Sequence, residues 1–562
     1  MAGRFMIKPI FPHEYDEKER LISVPAYGTG YHSKFAPPTR VHSTRESAEY
    51  AIACLGSSDP ADHAVGHQIL ERLLSLQVTD PTDTHYGIWG WYAEEPPQEM
   101  VPADWNWADF IGVRLLEILH DYRERLTPAL VEGITSAVGH AGRSIFRRNV
   151  GPGYTNICVM GAVACLAAGE MLPDMSLLEY GRCRLQNLRR DLDFHGGFSE
   201  YNSPTYTIVV VLELERLLHL VRHPDARADA EALLTSTWQL LAEQFHPATG
   251  QWAGPQSRTY RDWLDQEKAR FLEARIGCHI PVRPSSQPIG FGDHLGNRYL
   301  FACPEHLRSR FIKLPESPHQ HRHCWMKNQD GTPARISTTW FSDEATLGSM
   351  NRDSAWTQRR TLFGFWRTSD DPAVRIRVRI LHNGHDFSAG FMWNHQEGPR
   401  VLTGFHFITG EGDFHPNLGM PADNSFRTSD LRIRYEVEGI GAGAQQLGPD
   451  LFELRAGSHK VMLCTGTLRF DGQSSQTWSC GINNQIAFVD GEFYSGPERA
   501  YHPAKSGECT AVAALELLPA DVAASSHAIQ EAEQNGYRIF RWQADQEYEV
   551  RVPQVADKRP VP

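Results

Sequence analysis

A chain of 562 residues with 41% apolar and 22% charged residues can bury a large core and exceeds one ordinary domain, so two or more domains are expected. Its net charge of −13 argues against a nucleic-acid surface as its main business, and 46 glycines with 35 prolines give neither a collagen-like nor a disordered composition. The ten cysteines, at 54, 158, 165, 183, 278, 303, 324, 464, 480 and 509, show no CxxC spacing for a zinc ribbon or a thioredoxin-like site, and most are expected to be buried free thiols. The stretch Met1 to Pro12 has no apolar run of signal-peptide length, and no later stretch reaches the roughly 18 apolar residues of a membrane span. A reducing cytoplasm is therefore the expected compartment.

From about Ser43 to His246 the apolar residues recur at helical spacing, as at Ile111, Leu115, Ile118 and Tyr122 after Trp107. The spacing predicts further helices over Thr44–Cys54, His63–Gln77, Thr127–Arg148, Tyr154–Met171, Ser176–Asp191, Tyr206–Arg222 and Pro224–Phe245. In the helix from Tyr206, the residues Glu213, Arg216 and His219 mark one polar face. Short connections such as Gly151–Tyr154 and His195–Phe198 join helices into antiparallel hairpins, which curl into a bundle, a solenoid or a toroid. No fixed-period repeat favours the solenoid.

After about Pro281 the period changes to two. Val374, Ile376, Val378 and Ile380 alternate with Arg375, Arg377 and Arg379, and Ile433, Tyr435 and Val437 alternate with charged residues. Further strands are expected at Asn297–Phe301, Lys460–Cys464, Ile486–Val489, Tyr537–Trp542 and Tyr548–Val552, with turn signals at Asn383-Gly384, Asp490-Gly491 and Asn535-Gly536. Helices first and strands afterwards indicate two layered domains, placed at residues 1–285 and 286–562. The arginine face of the Val374 strand reads as a solvated face in preference to a strip for acidic sugars.

Aromatic and polar residues crowd the loops at one end of the helices: His85 to Glu95, with Trp89, Trp91, Tyr92, Glu94 and Glu95, then Asp104, Trp105, Asn106, Trp107 and Asp109. Flat C–H faces of sugar rings stack on such rings, and sugar hydroxyls need Asp, Asn and Arg partners. The structural alternative is that these tryptophans plug the space between helix ends. Asn156 falls in the first turn of its helix, where it either caps or reaches a ligand. The segment His195-Gly-Gly-Phe-Ser-Glu200-Tyr201-Asn202-Ser203-Pro204-Thr-Tyr206 holds more polar and aromatic groups than a turn needs, with Pro204 at the helix opening. Arg258 and Tyr260 sit in a loop with little hydrophobic anchoring, Gly254 to Asp262. Ser349 to Arg360, with Asn351, Arg352, Trp356 and Gln358, reads as a loop entering a strand that either closes over a cleft or forms a solvated turn.

The order of a helical half, an Asn at a helix start, a Gly-Gly-Phe-x-Glu-x-x-Ser-Pro-x-Tyr segment, a Ser-Arg-x-Tyr loop and a β-rich half resembles the heparinase II/III-like and alginate-lyase-like polysaccharide lyases. The resemblance implies an N-terminal incomplete (α/α) toroid followed by a C-terminal antiparallel β-sandwich. It also implies cleavage of uronic-acid-containing chains by β-elimination, without an organic cofactor. Asn156 would neutralise the uronate carboxylate, Tyr206 would serve as base or acid, and Arg258 and Tyr260 would lie on the substrate. His195 and Glu200 join the catalytic candidates; Trp89, Trp91, Trp105, Asn106, Trp107, Asp109, Asn202, Asn351 and Arg352 are the expected substrate contacts. Proton abstraction at C5 yields an enolate-like anion, so donors must face the carboxylate and an acceptor must reach C5. Arg258 beside the Tyr206 phenol would lower its pKa.

Ile157 follows Asn156 where several such lyases have His, so an assisting histidine comes from elsewhere: His195, His319, His321, His323 or His415. His321 and His323 alternate on one strand face and could hold a metal with one carboxylate, although no metal is assigned. A glycoside hydrolase using two carboxylates from Glu94, Glu95, Asp104, Asp109 and Glu200 is the alternative enzyme, and a non-catalytic carbohydrate-binding protein the alternative of another class. The expected partner is an acidic oligo- or polysaccharide, with neither nucleic acid nor membrane. The sequence does not fix an oligomeric state.

Overall fold

Side-chain caps set the helix starts. Ser43 accepts from the Glu46 amide at the start of α1 (Thr44–Gly56), Asp59 caps α2 (Pro60–Ser75), Thr127 caps α4 (Pro128–Arg148) and Asp174 caps α6 (Met175–His195). Between them lie α3 (Trp107–Asp121), α5 (Thr155–Met171), α7 (Tyr206–Leu220), α8 (Pro224–Gln244) and α9 (Gln266–Ile276). The computed structural model describes residues 13–27, 32–283, 298–352, 356–409, 425–475, 477–525 and 528–558. The domain junction expected at 285/286 and His415 lie outside the described residues.

Helices α1 to α8 form four antiparallel hairpins. The first helices of the hairpins, α1, α3, α5 and α7, pack on one another in succession, and so do the second ones, α2, α4, α6 and α8. This two-layered curl is an incomplete (α/α) toroid. Composition follows the layers: α5 is buried on every side from Thr155 to Gly169, whereas α4 is strongly one-sided. Gly169 and Gly181 let α5 and α6 close up, since a Cβ on either would sit 2.5 Å from the Leu178 amide or 2.7 Å from the Leu166 amide.

Of the polar face predicted on α7, Glu213 and Arg216 point inward and His219 is exposed. Glu213 and Arg216 are buried, with Arg216 Nε on Glu117 at 3.0 Å and Nη1 on Glu213. Glu117 in turn takes Arg114 at 3.0 Å, and Arg114 reaches Glu49 at 3.3 Å. A chain of opposite charges thus links α1, α3 and α7 inside the ring.

The C-terminal half is an antiparallel β-sandwich. One sheet runs in the order Trp478–Asn483, Ile486–Tyr501, Phe426–Glu438, Val374–His382, Leu362–Trp366, Ala345–Met350, Pro333–Phe341, His319–Lys327. The other runs Gly390–Glu397, Arg400–Thr409, Thr510–Pro519, His459–Thr465, Leu451–Ala456, Gly443–Gln446. Val378, Ile380 and Ile433 meet Phe405, Phe407 and Leu515 in the core between them. The hairpin Tyr537–Gln543 and Glu547–Pro553 covers the outside of the second sheet through Phe540 and Trp542 on Leu402 and Val512.

Asn383-Gly384 and Asn535-Gly536 are left-handed turns, with φ of 48° and 84° and of 52° and 80°. Asp490-Gly491 is no turn: it lies inside the strand Ile486–Tyr501, where Asp490 pairs with Arg432 at 2.8 Å and Arg434 at 2.6 Å. The strand expected at Asn297–Phe301 is absent over its described part, because Arg298 pairs with Asp121 and the Tyr299 ring stacks on His219 at 4.3 Å. The arginine face of Val374–His382 is not solvated. Arg375 and Arg377 are 3% and 6% exposed, since this sheet face turns toward the helical half, where Asp262 meets both. All ten cysteines are free; Cys54, Cys158, Cys165, Cys303 and Cys509 are buried and Cys183 is exposed on α6, so burial reaches only half of them.

Candidate active site

A cleft of about 600 Å³ opens where the helix ends meet the sandwich loops. Among its lining residues are Trp91, Asn106, Trp107, Tyr154, Asn156, Tyr206, Arg258 and Tyr260 from the helical half and Trp356, Gln358, His385 and Asp386 from the other.

Two loops of the helical half build its centre. Gly196, at φ 90°, ends α6 in a left-handed cap. The chain then turns through Asn202, itself left-handed at φ 47°. The Asn202 amide donates to the carbonyls of Ala253 at 2.7 Å and Pro255 at 2.9 Å and accepts from Trp252 Nε1 at 2.6 Å. Ser257 donates from its amide and hydroxyl to the Tyr201 carbonyl at 3.1 and 2.9 Å. The 253–260 loop is therefore anchored by hydrogen bonds in place of apolar contacts, and Asn202 is a clamp that meets no cleft. The same loop pairs with the sandwich: Gln256 and Arg360 exchange backbone bonds at 3.0 and 2.7 Å, and the Thr259 amide donates to Gln358 at 2.9 Å.

Glu200 is 3% exposed and lies behind the cleft. It accepts from the Asn156 amide at 2.8 Å and from Asn156 Nδ2 at 2.9 and 2.7 Å. Its carboxylate thus sits on the positive end of α5, and Asn156 is not a cap. Arg258 Nη1 faces the same carboxylate at 3.3 Å, and its Nε donates to Gln358 at 3.2 Å. The guanidinium carbon lies 4.2 Å from the Trp356 ring centre, 5.1 Å from Tyr206 and 5.7 Å from Tyr154. Burial pushes the Glu200 carboxyl above its ordinary range, against Arg258 and the Asn156 bonds.

Tyr206 opens α7, its backbone amide donating to Ser203 Oγ at 3.1 Å, and its hydroxyl stands 2.5 Å from the Tyr260 hydroxyl. Arg258 acts to lower the Tyr206 pKa as the sequence suggests, but burial, followed by Tyr260, outweighs it and the phenol is held above its usual value. Burial likewise pushes Tyr154 up to about 12. Tyr154 receives Asn106 Nδ2 at 3.2 Å, and Asn106 Oδ1 accepts from Arg148 at 2.6 Å. Trp91 and Trp107 stack at 5.2 Å, with Trp91 Nε1 on Asp104 at 3.0 Å.

The other expected residues fall elsewhere. Trp89 is fully buried, its Nε1 on the Leu73 carbonyl, and belongs to the core. Trp105 stacks beside His85 at 6.1 Å and Asp109 is 1% exposed beneath α5; neither is among the lining residues. Asn351 accepts from the Ile336 amide at 2.9 Å and tethers two strands, and Arg352 bridges to Trp393. His195 accepts from the Lys327 amide at 3.0 Å, away from the cleft. The histidines that line the cleft are His32 and His385, neither singled out by the sequence. Of the five carboxylates considered for hydrolysis, only Asp104 lines it; Glu94 pairs with His42, and Glu95 accepts from the Lys34 amide at 3.0 Å. Two groups with metal-ligating side chains, His120–Asp121–His219 and Glu243–His321–His323, stand apart from the cleft among the described residues. No described helix is long and apolar enough to cross a membrane.

Residues 26–271 match a family described as "Domain of unknown function (DUF8769)". No curated protein matches. Among solved structures, the chain is similar to chondroitin AC lyase of Streptomyces coelicolor A3 in complex with chondroitin sulphate, at 11% identity and TM-score 0.46, over 88% of this chain and 78% of that one. It is similar to heparinase III at 10% identity and TM-score 0.43, over 91% and 82%. It is also similar to heparan sulfate lyase HepC of Pedobacter heparinus at 9% identity and TM-score 0.33, over 97% and 90%.

Proposed function

We propose that the protein is a lyase that cleaves a uronic-acid-containing oligo- or polysaccharide by β-elimination. The observation that supports it is the Arg258–Tyr206–Tyr260 constellation: a guanidinium over a phenol whose hydroxyl shares a 2.5 Å contact with a second one, all lining one cleft. Arg258 receives the uronate carboxylate, with the Asn156 amide beside it, and so stabilises the enolate-like anion formed when the C5 proton leaves. Glu200 is a positioning residue that holds both donors.

The tyrosine pair moves the protons. Its active form carries one proton between the two oxygens. Tyr260 takes the proton from C5; the electron pair forms the C4–C5 double bond; the C4–O4 bond breaks; and Tyr206 gives its proton to O4. Burial keeps Tyr206 protonated, which suits the acid role. Trp91, Trp107 and Trp356 offer ring faces to the sugars on either side.

The test is absorbance of the conjugated unsaturated uronate over a panel of uronic-acid polymers and oligomers, with Tyr206→Phe alongside. A rise abolished by Tyr206→Phe at unchanged circular dichroism is expected. Reducing ends released without that absorbance would overturn elimination.

A further inference from the structure

The first sandwich strand, His319–Lys327, pairs with Pro333–Phe341 on one side and packs against the outer helix α6. Its two-residue period sends His321 and His323 to one face, with ring centres 5.9 Å apart and planes within 21°. Glu243, in the last turn of α8, faces them, one carboxylate oxygen 3.6 Å from His321 Nε2. One ligand atom from each of the three lies within 4.8 Å of the other two.

Three details go beyond proximity. His321 Nε2 is buried and has no hydrogen-bond partner, although a carboxylate stands 3.6 Å away. That distance is too long for a hydrogen bond, and an orphaned buried nitrogen is costly enough to need a reason, an ion being one. His323 Nε2 contacts the Gly196 carbonyl at 2.7 Å. A carbonyl only accepts, so Nε2 carries the proton and Nδ1 keeps its lone pair, the tautomer that an outer-shell carbonyl imposes on a metal-bound imidazole. The second oxygen of Glu243 is held by Gln239 Nε2, so the carboxylate too is oriented from behind.

We propose that Glu243, His321 and His323 bind one divalent transition-metal ion, zinc by ligand type, between α8 and the first sandwich strand. Two imidazoles and one carboxylate are a zinc donor set, with water completing the tetrahedron. None of the three residues lines the cleft, so the ion is independent of the elimination chemistry. It ties the helical half to the sandwich.

The test uses the full chain stripped with chelator, titrated with zinc and separately with cobalt, read by metal content after desalting, by the visible bands of tetrahedral cobalt, and by thermal unfolding. One zinc per chain is expected, with a melting temperature that rises with metal concentration. Glu243→Gln and His321→Ala should each remove the metal and that rise, with metal-free circular dichroism reporting that the fold persists. His219→Ala, in the other histidine group, should retain one zinc. If His321→Ala does not fold, Glu243→Gln alone decides. No retained metal at micromolar zinc, or metal that survives Glu243→Gln, would overturn the site.

Discussion

Arg216 is a buried and Arg258 a half-buried guanidinium of the helical half, and their counter-charges separate scaffold from site. Arg216, with no exposed surface, is met by two carboxylates, Glu117 and Glu213. Arg216, with Arg114 beside it, holds Glu117 down at about 2 against the opposing effect of burial. Arg258 has one carboxylate, at 3.3 Å, and three aromatic faces, and its side chain retains 19% exposure toward the cleft. A cation with a single counter-charge and an open side can receive an anion; a saturated one can only hold helices together.

Tyr206→Phe is the change expected to cost most on the site side, lowering turnover by about 10²–10⁴-fold while the melting temperature stays put. On the scaffold side, Arg216→Met leaves Glu117 and Glu213 buried without their shared cation and should cost about 3–5 kcal/mol of stability, read by chemical denaturation. Were Arg258→Met to destabilise the fold by as much, the distinction between the two arginines would fail. Glu200→Gln keeps a hydrogen-bonding partner for Asn156 but removes the counter-charge of Arg258; turnover should fall about tenfold, the scale of one charge-assisted hydrogen bond. Complete loss of turnover would instead assign Glu200 a proton-transfer role.

The smallest expected effect concerns pH. Burial raises the Asp109 carboxyl from 3.8 to about 7, over the opposing pull of Arg184 and Arg148. A carboxyl whose folded pKa lies above its unfolded one binds a proton more tightly when folded. It therefore costs stability progressively as pH rises from 3.8 to about 7, and the loss is complete above that. Asp109→Asn should raise the melting temperature by about a few degrees at pH 8 and do little at pH 4. A gain that does not depend on pH would contradict the shift.

The sequence made the fold readable because periodicity is local. The 3.6-residue pattern gave helices within a few residues of their observed ends, the two-residue pattern located strands although the one expected at Ile486–Val489 runs on to Tyr501, and Gly196 with Pro204 marked the turn that carries Tyr206. The Asn-Gly turns were equally legible, whereas Asp490-Gly491 resembles a turn only until Arg432 and Arg434 on the adjacent strand are seen to need Asp490. Within the cleft, Asn156, Tyr206, Arg258 and Tyr260 were legible as candidates through the short polar segments that carry the family resemblance. Their electrostatics were not, since Arg258 faces Tyr206 as expected but burial, a property of the whole cleft, reverses the net shift. Trp89 and Trp91 cannot be told apart in sequence, yet Trp89 is core, with its indole on the Leu73 carbonyl, and Trp91 lines the cleft, with its indole on Asp104. His32, His385 and Asp386 reach the cleft from distant parts of the chain, and nothing in their own segments announces it. Glu243 is the same case, since only the packing of α8 brings it to His321.

The central claim is elimination in place of hydrolysis, and cleavage in heavy-oxygen water tests it most directly. Elimination adds no water across the broken bond, so mass spectrometry of the products should show the unsaturated uronate and no label beyond slow exchange at the reducing end. One heavy oxygen fixed in the product at each cleavage, with no loss of water in mass, would contradict it and return the search to the cleft carboxylates Asp104 and Asp386.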